Sequence, residues 1–194
     1  MSGLQQSLSG YGLFASVPVT LSAETIDEFG FAETEKSLLL IGNRGSSYWP
    51  HFSHSKEFAD GQADPLDRWS KRIARALCQQ HAGYRPLFPS DGPPWLPFQR
   101  WAMATRCLFR SPLGLLIHPD YGLWHSFRFA LLFDPDGISD TTADRPDCSS
   151  PCDSCAGKPC LDTCPVNAFG KAGYDFMSCV DFLKANPRST DCGT

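Results

Sequence analysis

The sequence lacks any long apolar run. Its most apolar stretches, "LLLIG" and "LGLLI", are far shorter than the roughly 20 residues that a membrane-spanning helix needs. The first residues, "MSGLQQSLSGYGLF", also lack the basic region followed by an apolar stretch that marks a secretory signal. We therefore expect a cytoplasmic protein without a membrane segment.

An excess of basic residues is missing too. The 17 Lys and Arg and the 21 Asp and Glu give a formal net charge of −4. This charge gives no reason to expect nucleic acid or an anionic membrane surface as a partner. Hydrophobic residues make up 42% of the chain and charged residues 20%, which is typical of a globular protein rather than a disordered or fibrous one.

Cysteine is scarce over most of the chain and dense at its end. Only Cys78 and Cys107 precede residue 148, so nine minus two leaves seven cysteines within residues 148–194. In a reducing compartment an odd number of cysteines is not expected to form a disulfide framework. We interpret Cys78 and Cys107 as small buried apolar residues.

Residues 1–133 contain both helical and strand patterns, which indicates an α+β fold. A strand is predicted at Leu38–Ile41, and a second helix at "PFQRWAMATRCLF" begins at Pro97. The segment "LGLLIHPDYGLWHSFRFALLFDP" predicts a β-hairpin with its turn at "HPDYG".

The clearest helical pattern is "ADPLDRWSKRIARALCQQHAG". Asp64 suits the N-cap, Pro65 the first helical position and Gly83 the C-terminal stop. One face of this helix is apolar and is expected to pack on the core; it consists of Leu66, Trp69, Ile73 and Leu77.

The composition changes after residue 133 and predicts three parts. Residues 1–133 would form a mixed α/β cofactor-binding domain, residues 134–147 an acidic linker, and residues 148–194 a small module that we call the cysteine segment. The cysteine segment has too few apolar residues to build a core alone, so a metal centre is expected to order it.

Four cysteines of this segment follow the spacing C-x2-C-x4-C-x3-C-P: Cys152, Cys155, Cys160 and Cys164, with Pro165 directly after. Thiolates are soft ligands that suit zinc or iron–sulfur clusters. Structural zinc sites use two cysteine pairs separated by a dozen or more residues, whereas only four residues separate Cys155 from Cys160. The spacing therefore favours an iron–sulfur cluster, with structural zinc and unliganded thiols as the alternatives.

The stretch "CDSCAGKPCLDTCPVNAF" resembles the ferredoxin-type repeats of electron-transfer subunits in membrane oxidoreductases. The resemblance implies a ferredoxin-like module in which Cys152, Cys155 and Cys160 hold one [4Fe–4S] cluster, and Cys164 helps to hold another together with Cys179 and Cys192. Each cluster then has three cysteine ligands. Either the sequence is a truncated fragment of a two-cluster protein, or it binds one cluster with a fourth ligand from Cys164, Cys179 and Cys192.

The segment Ser111–Phe133, which we call the hairpin segment, carries the order I-H-P-x-x-G-x-W-x-x-x-R-x-x-L-L. Taken alone, its His118 could be a core histidine and its Arg128 a surface charge. The order is similar to a hairpin of the CblC family of cobalamin-processing proteins and to the G-x-W segment of epoxyqueuosine reductases, which join a corrinoid-binding domain to a two-cluster ferredoxin module. "YDFMSCVDFL" around Cys179 resembles the reductase pattern as well.

These resemblances imply a nitroreductase-like α/β domain followed by a ferredoxin-like module. They imply that the positions matching the motif, His118, Gly122, Trp124 and Arg128, line a cofactor pocket. In the cobalamin-processing relatives this region lines the corrinoid pocket, and the arginine faces the reductant side.

We therefore expect an iron–sulfur-dependent reductase that passes single electrons between a [4Fe–4S] cluster and a cofactor in the first domain. A corrinoid is the first candidate for that cofactor and a flavin the second. A redox partner protein would donate electrons, and a small molecule or a corrinoid would be the substrate. The alternatives are a ferredoxin-like electron carrier with no organic cofactor, whose first domain docks a partner, and a zinc-stapled structural protein.

Overall fold

A computed structural model of the chain describes residues 3–137, 148–170 and 173–186. The helices are α1 Gly3–Ser9, α2 Ala23–Glu28, α3 Trp49–Phe52, α4 Lys56–Ala59, α5 Pro65–Gln80, α6 Phe98–Ala104, α7 Pro159–Asp162 and α8 Phe176–Ala185. The strands are β1 Phe14–Ala15, β2 Val19–Thr20, β3 Ser37–Arg44, β4 Tyr84–Leu87, β5 Phe109–Arg110, β6 Leu116–Ile117, β7 His125–Phe133, β8 Phe169–Gly170 and β9 Gly173–Tyr174.

The main sheet has five strands in the order β1-β3-β7-β4, with β2 also paired to β3, and its pairings are antiparallel. Two small two-stranded sheets, β5-β6 and β8-β9, are antiparallel as well. The chain is thus a mixed α+β protein, which confirms the predicted class.

Helices cover both faces of the main sheet. On one face, Leu39, Ile41 and Phe129 pack with buried residues of α1 and α5. On the other face, Leu40 and Ala130 pack with buried residues of α6 and of the chain around β2. The near-continuous burial of β3 and of the second half of β7 follows from this double cover, because both sides of these strands face core.

The predicted helix α5 is confirmed, and its predicted apolar face is the packed one: Trp69, Ile73 and Leu77 are buried, and Leu66 packs against the same cluster. Pro65 occupies the first turn as expected. Asp64 is the N-cap residue, but it has φ 52° and its side chain makes no capping hydrogen bond. The helix that the sequence predicts from Pro97 is also present, and it ends at Ala104.

The predicted β-hairpin between residues 113 and 135 is wrong in its pairing. β6 pairs with β5, whereas β7 lies between β3 and β4 in the main sheet. The two predicted strands of the hairpin are not paired with each other; the turn between them is closed by an isolated antiparallel bridge between His118 and Gly122. The long apolar strand β7 is stabilised more by burial between two neighbours than by pairing with the two-residue strand before it.

A β-bulge interrupts the pairing of β3 with β7. Ile41 is opposite Phe129 and Gly42 is opposite Phe127, so Arg128 is the extra residue. A bulge changes the alternation of side chains, and Phe127 consequently packs with the α6-side cluster although Phe129 belongs to the α5-side cluster. A side chain at Gly42 would collide with the backbone at Ser126, so glycine is required at this close approach.

The cysteine segment contributes short elements near the surface. The described residues of α7 and α8 include no buried side chain, in contrast with α5 and β7. Asp134–Gly137 forms a turn after β7, and the remainder of the predicted acidic linker lies outside the described residues.

One expectation about the cysteines is corrected. Cys107 is nearly buried, as predicted, but it is joined by a disulfide to Cys148, with the two Cα atoms 5.3 Å apart. This bond ties the start of the cysteine segment to the connection between α6 and β5. Cys78 is a free, half-buried thiol on α5.

No helix in the described ranges combines the length and apolarity that crossing a bilayer requires.

Candidate functional site

The turn of the hairpin segment is held by reciprocal backbone bonds. The His118 N–H donates to the Gly122 carbonyl and the Gly122 N–H donates to the His118 carbonyl, each at 2.9 Å. Gly122 has φ 56°, a left-handed conformation that glycine adopts without a steric penalty. The Gly45 N–H donates to the Trp124 carbonyl at 2.6 Å and fixes the turn to the end of β3, while the Trp124 side chain remains 78% exposed.

Two histidines flank this turn, with ring centroids 6.2 Å apart. The Asp120 N–H donates to Nδ1 of His118 at 3.0 Å, so neutral His118 carries its proton on Nε2. His125 Nδ1 lies 3.1 Å from the Gly122 carbonyl and must donate to it, so neutral His125 has an unprotonated Nε2.

Partial burial lowers the pKa of both imidazoles. For His118, desolvation is the main cause; Asp120 opposes it, and His125 and Arg44 add to it. For His125, desolvation outweighs the hydrogen bond to Gly122. The neutral forms are therefore favoured at pH 7, one with a free N–H donor and the other with a free nitrogen acceptor.

Arg128 is directed by the bulge towards the α5 side of the sheet. Its Nε donates to Asn43 Oδ1 at 3.0 Å, and its guanidinium lies 5.4 Å from the centroid of the Tyr48 ring. Burial lowers the pKa of Arg128. Among the described residues Arg128 forms no ion pair, so its charge is available to an anionic or strongly polar ligand.

The four motif positions do not share one cavity: His118 and Trp124 line two adjoining cavities, and Gly122 and Arg128 line neither of them. A cavity of about 270 Å³, the disulfide cavity, has His118, Arg44 and the Cys107–Cys148 disulfide among its walls. A second of about 580 Å³, the tryptophan cavity, has Trp49 and Trp124 among its walls. Asn43 and Tyr48, the two contacts of Arg128, also line the tryptophan cavity, and His125 lines both cavities.

Sequence reasoning missed Asn43, Tyr48 and Arg44 as members of this region. Asn43 is a polar residue at the end of the apolar run "LLLIG", and it is 4% exposed. A polar side chain in a buried strand requires a partner, which was the available signal for Asn43. The cation–π contacts of Arg44 with Phe14 and Tyr121, at 4.1 and 4.8 Å, join residues far apart in the chain and had no sequence signal.

The cysteines of the C-x2-C-x4-C-x3-C-P motif are free thiols close to the surface. Cys155 and Cys160 are exposed, and Cys152 and Cys164 are half-buried. Cys160 lies on α7, which begins at Pro159 after Lys158 in the left-handed conformation. The Sγ of Cys164 accepts a hydrogen bond from the Ala168 N–H at 3.3 Å.

Cys164 and Cys179 share a neighbour, Tyr174. The Tyr174 hydroxyl is hydrogen-bonded to Cys179, and this bond raises the pKa of Tyr174, with further contributions from the charges of Cys179 and Cys164. Tyr174 ends β9, and α8 follows with Asp175 as its cap, its carboxylate accepting from the Ser178 N–H at 3.1 Å. The charges of two cysteines that are 15 positions apart in the sequence thus both act on Tyr174.

Within residues 3–137, 148–170 and 173–186, no three His, Cys, Asp or Glu side chains are arranged to hold a metal ion. The donor set nevertheless fits an iron–sulfur cluster, since five free thiols lie on one short segment: Cys152, Cys155, Cys160, Cys164 and Cys179. The sixth predicted ligand, Cys192, lies outside the described residues. The disulfide removes Cys148 from the supply of ligands, so seven minus one leaves the six cysteines that the ferredoxin resemblance implies as ligands.

Comparison of the chain with models of known protein families gives no match, and comparison with curated protein sequences gives none either.

Proposed function

We propose that this chain is an iron–sulfur redox protein, in which a [4Fe–4S] cluster on the cysteine segment exchanges single electrons with a cofactor held against the hairpin segment. The proposed fold is a nitroreductase-like domain followed by a ferredoxin-like module. A corrinoid is the first candidate for the organic cofactor and a flavin the second. A cytoplasmic location is part of the proposal, because thiolate ligands need a compartment that keeps cysteines reduced.

The observation that carries the proposal is the set of free thiols at C-x2-C-x4-C-x3-C-P spacing. The influence of both Cys164 and Cys179 on the pKa of Tyr174 supports it. Cys152, Cys155 and Cys160 would hold one cluster, and Cys164, Cys179 and Cys192 would supply its fourth ligand or hold a second. When bound, the cluster supplies one-electron transfer and the corrinoid supplies its own redox chemistry at cobalt.

The residues of the chain would bind and orient these groups. Trp124 offers an exposed apolar ring to a planar cofactor, and Arg128 holds a cation against Asn43 and Tyr48, which line the same cavity as Trp124. His118 and His125 favour their neutral forms and would hold a donor and an acceptor against polar groups of the ligand.

The test is the iron, sulfide and zinc content of anaerobically purified protein, followed by titration with cob(II)alamin. About four irons and four sulfides per chain, with an absorption near 400 nm that dithionite bleaches, would support a cluster. Stoichiometric zinc without iron would replace the proposal with a zinc-stapled structural protein. Iron with no shift of the corrin bands, and with no flavin bound, would favour the plain electron carrier.

A further inference from the structure

The disulfide between Cys107 and Cys148 lies in the wall of a cavity with reactive neighbours. Both cysteines line the disulfide cavity, together with His118, His125 and Arg44. Cys107 is 9% exposed, and Cys148 is less buried than Cys107. A small molecule in the cavity therefore reaches Cys148 more readily than Cys107.

The backbone beside Cys107 is unusual. Arg106, directly before it, has φ 65°, a left-handed conformation that a long side chain adopts at a cost. Two hydrogen bonds to carbonyl groups of α6 stabilise this turn. The Thr105 hydroxyl donates to the Ala102 carbonyl at 2.7 Å, and the Arg106 N–H donates to the Met103 carbonyl at 3.1 Å. The fold thus maintains a strained turn at the residue that precedes one sulfur of the disulfide.

The cavity provides what thiol–disulfide exchange needs. The attacking species is a thiolate, so the reaction is promoted by a base for the thiol proton and by nearby positive charge. The Nε2 of neutral His125 is an unoccupied base, and the Arg44 guanidinium lies between the Phe14 and Tyr121 rings of the same cavity.

The bond has a structural consequence for the cysteine segment. Hydrogen bonds within the segment include those of Cys164 with Ala168 and of Asp175 with Ser178. The disulfide adds a covalent link to the α/β domain only four positions before Cys152. Breaking it would remove that covalent link.

We propose that Cys107 and Cys148 form a thiol–disulfide exchange site that reacts, through the disulfide cavity, with a low-molecular-weight thiol. The incoming thiolate attacks Sγ of Cys148, forms a mixed disulfide and breaks the Cys107–Cys148 bond, and Cys107 leaves as a thiolate that takes up a proton. A second thiolate attacks the mixed disulfide, which yields the oxidised two-sulfur form of the reductant and a Cys148 thiol. Two electrons pass from two thiols to the protein, and an oxidised disulfide reagent reverses the sequence. This reaction goes beyond the proposed function and does not depend on a cluster.

The first experiment uses the native full chain, purified anaerobically. The protein is incubated with dithiothreitol or with a reduced thioredoxin-type protein, quenched with N-ethylmaleimide and mapped by peptide mass spectrometry. We expect the Cys107–Cys148 cross-linked peptide before treatment, its loss with dithiothreitol without denaturant, and its return after diamide. Reduction by the protein dithiol as well would extend the range of reductants to proteins and would still support the exchange site. A bond that is never found, or that opens only in denaturant, would overturn the proposal.

Two variants sharpen the test. Cys78→Ser removes a free thiol on α5 and should leave the exchange rate unchanged. His125→Gln retains a donor for the Gly122 carbonyl but removes the base. The base matters most at pH 7, where few thiols are ionised, so the exchange rate at pH 7 divided by the rate at pH 9 should fall by about tenfold or more. An unchanged ratio would contradict the role of the imidazole. Loss of iron from the preparation would leave the peptide map interpretable, so failure of the proposed function is distinguishable from failure of this site.

Discussion

Arg128 and Asn43 are joined by a 3.0 Å hydrogen bond from Nε to Oδ1, beside the β-bulge that interrupts the pairing of β3 with β7. The other end of the Asn43 amide is also engaged, because its Nδ2 donates to the Gly45 carbonyl at 3.0 Å. Asn43 is therefore fixed in orientation, and it fixes Arg128 beside the Tyr48 ring. The orientation of Arg128 thus depends on Asn43, which lies on the neighbouring strand β3 but 85 positions earlier in the sequence.

The variant Asn43→Leu tests this dependence. It removes the acceptor for Arg128 and the donor for Gly45, so we expect a loss of about 1–3 kcal/mol in the free energy of unfolding, measured by urea denaturation. We also expect weaker binding of cob(II)alamin, because Arg128 loses its orientation. Asn43→Asp keeps an acceptor and should retain most of the binding. Arg110→Gln, on the short strand β5, is the matched control, and an equal loss in that variant would contradict a specific role for Asn43.

Much of the α/β domain could be predicted from local patterns. The helix α5 follows from its 3.6-residue apolar period and from Pro65, and these signals depend on nearby residues alone. The strand at Leu38–Ile41 was predicted within β3, which continues to Arg44 because Asn43 and Arg44 find partners in the fold.

The site could be predicted only in part, since its contacts join distant residues. His118, Trp124 and Arg128 were identified from their order in the hairpin segment, but nothing local indicates the bulge at Arg128 or the placement of His118 and Trp124 in two different cavities. The pairing of Cys107 with Cys148 spans 41 positions and has no spacing signal, since connectivity of disulfides cannot be deduced from sequence.

The stability of the α/β domain should fall in mildly acidic solution. The pKa values of His118 and His125 are lowered in the folded state from an ordinary value of 6.5, so the unfolded chain binds protons first as the pH falls. The stabilisation from these histidines is complete above pH 6.5 and is lost as the pH falls below it. We expect a lower urea midpoint at pH 5.5 than at pH 7.5.

The double variant His118→Gln/His125→Gln is the control for this pH dependence. It should flatten the change between pH 7.5 and pH 5.5 while leaving the steeper loss near pH 4, where the lowered pKa values of Glu35 and Glu57 act with the same sign. An unchanged slope between pH 7.5 and pH 5.5 in the double variant would assign the effect to other groups.

The ion pair between Glu57 and Arg72 should contribute more to stability than the other pairs of α5. Glu57 is buried and accepts from Nε and Nη2 of Arg72 at 2.6 and 3.0 Å, and this bonding holds the pKa of Glu57 below its ordinary value. Because the Arg72 side chain is 40% exposed, water screens part of the interaction. We expect Glu57→Gln to cost about 1–2 kcal/mol in urea denaturation at pH 7.

Asp91→Asn provides the comparison for Glu57. Asp91 pairs with Lys71 at 2.6 Å, but its side chain is 55% exposed, so its loss should cost less than about 0.5 kcal/mol. The cost of Glu57→Gln should also diminish as the pH falls below 4.5, because Glu57 takes up a proton in the unfolded chain before it does so in the folded one. Equal costs for the two variants would show that burial of Glu57 adds nothing to the pair.

Tyr174 should tune a cluster that Cys164 and Cys179 share. In the proposed function, Cys164→Ala and Cys179→Ala remove ligands on either side of Tyr174, so both variants should lose iron to the same extent.

Tyr174→Phe removes the hydroxyl that bonds to Cys179 and should keep its iron. A hydrogen bond to a ligand sulfur stabilises the more negative, reduced cluster, so Tyr174→Phe should lower the reduction potential in a titration monitored by electron paramagnetic resonance. Tyr11→Phe, beside Trp69 in the α/β domain, is the matched control and should leave the potential unchanged. A full iron content in Cys179→Ala together with an unaltered potential in Tyr174→Phe would remove Cys179 from the ligand set.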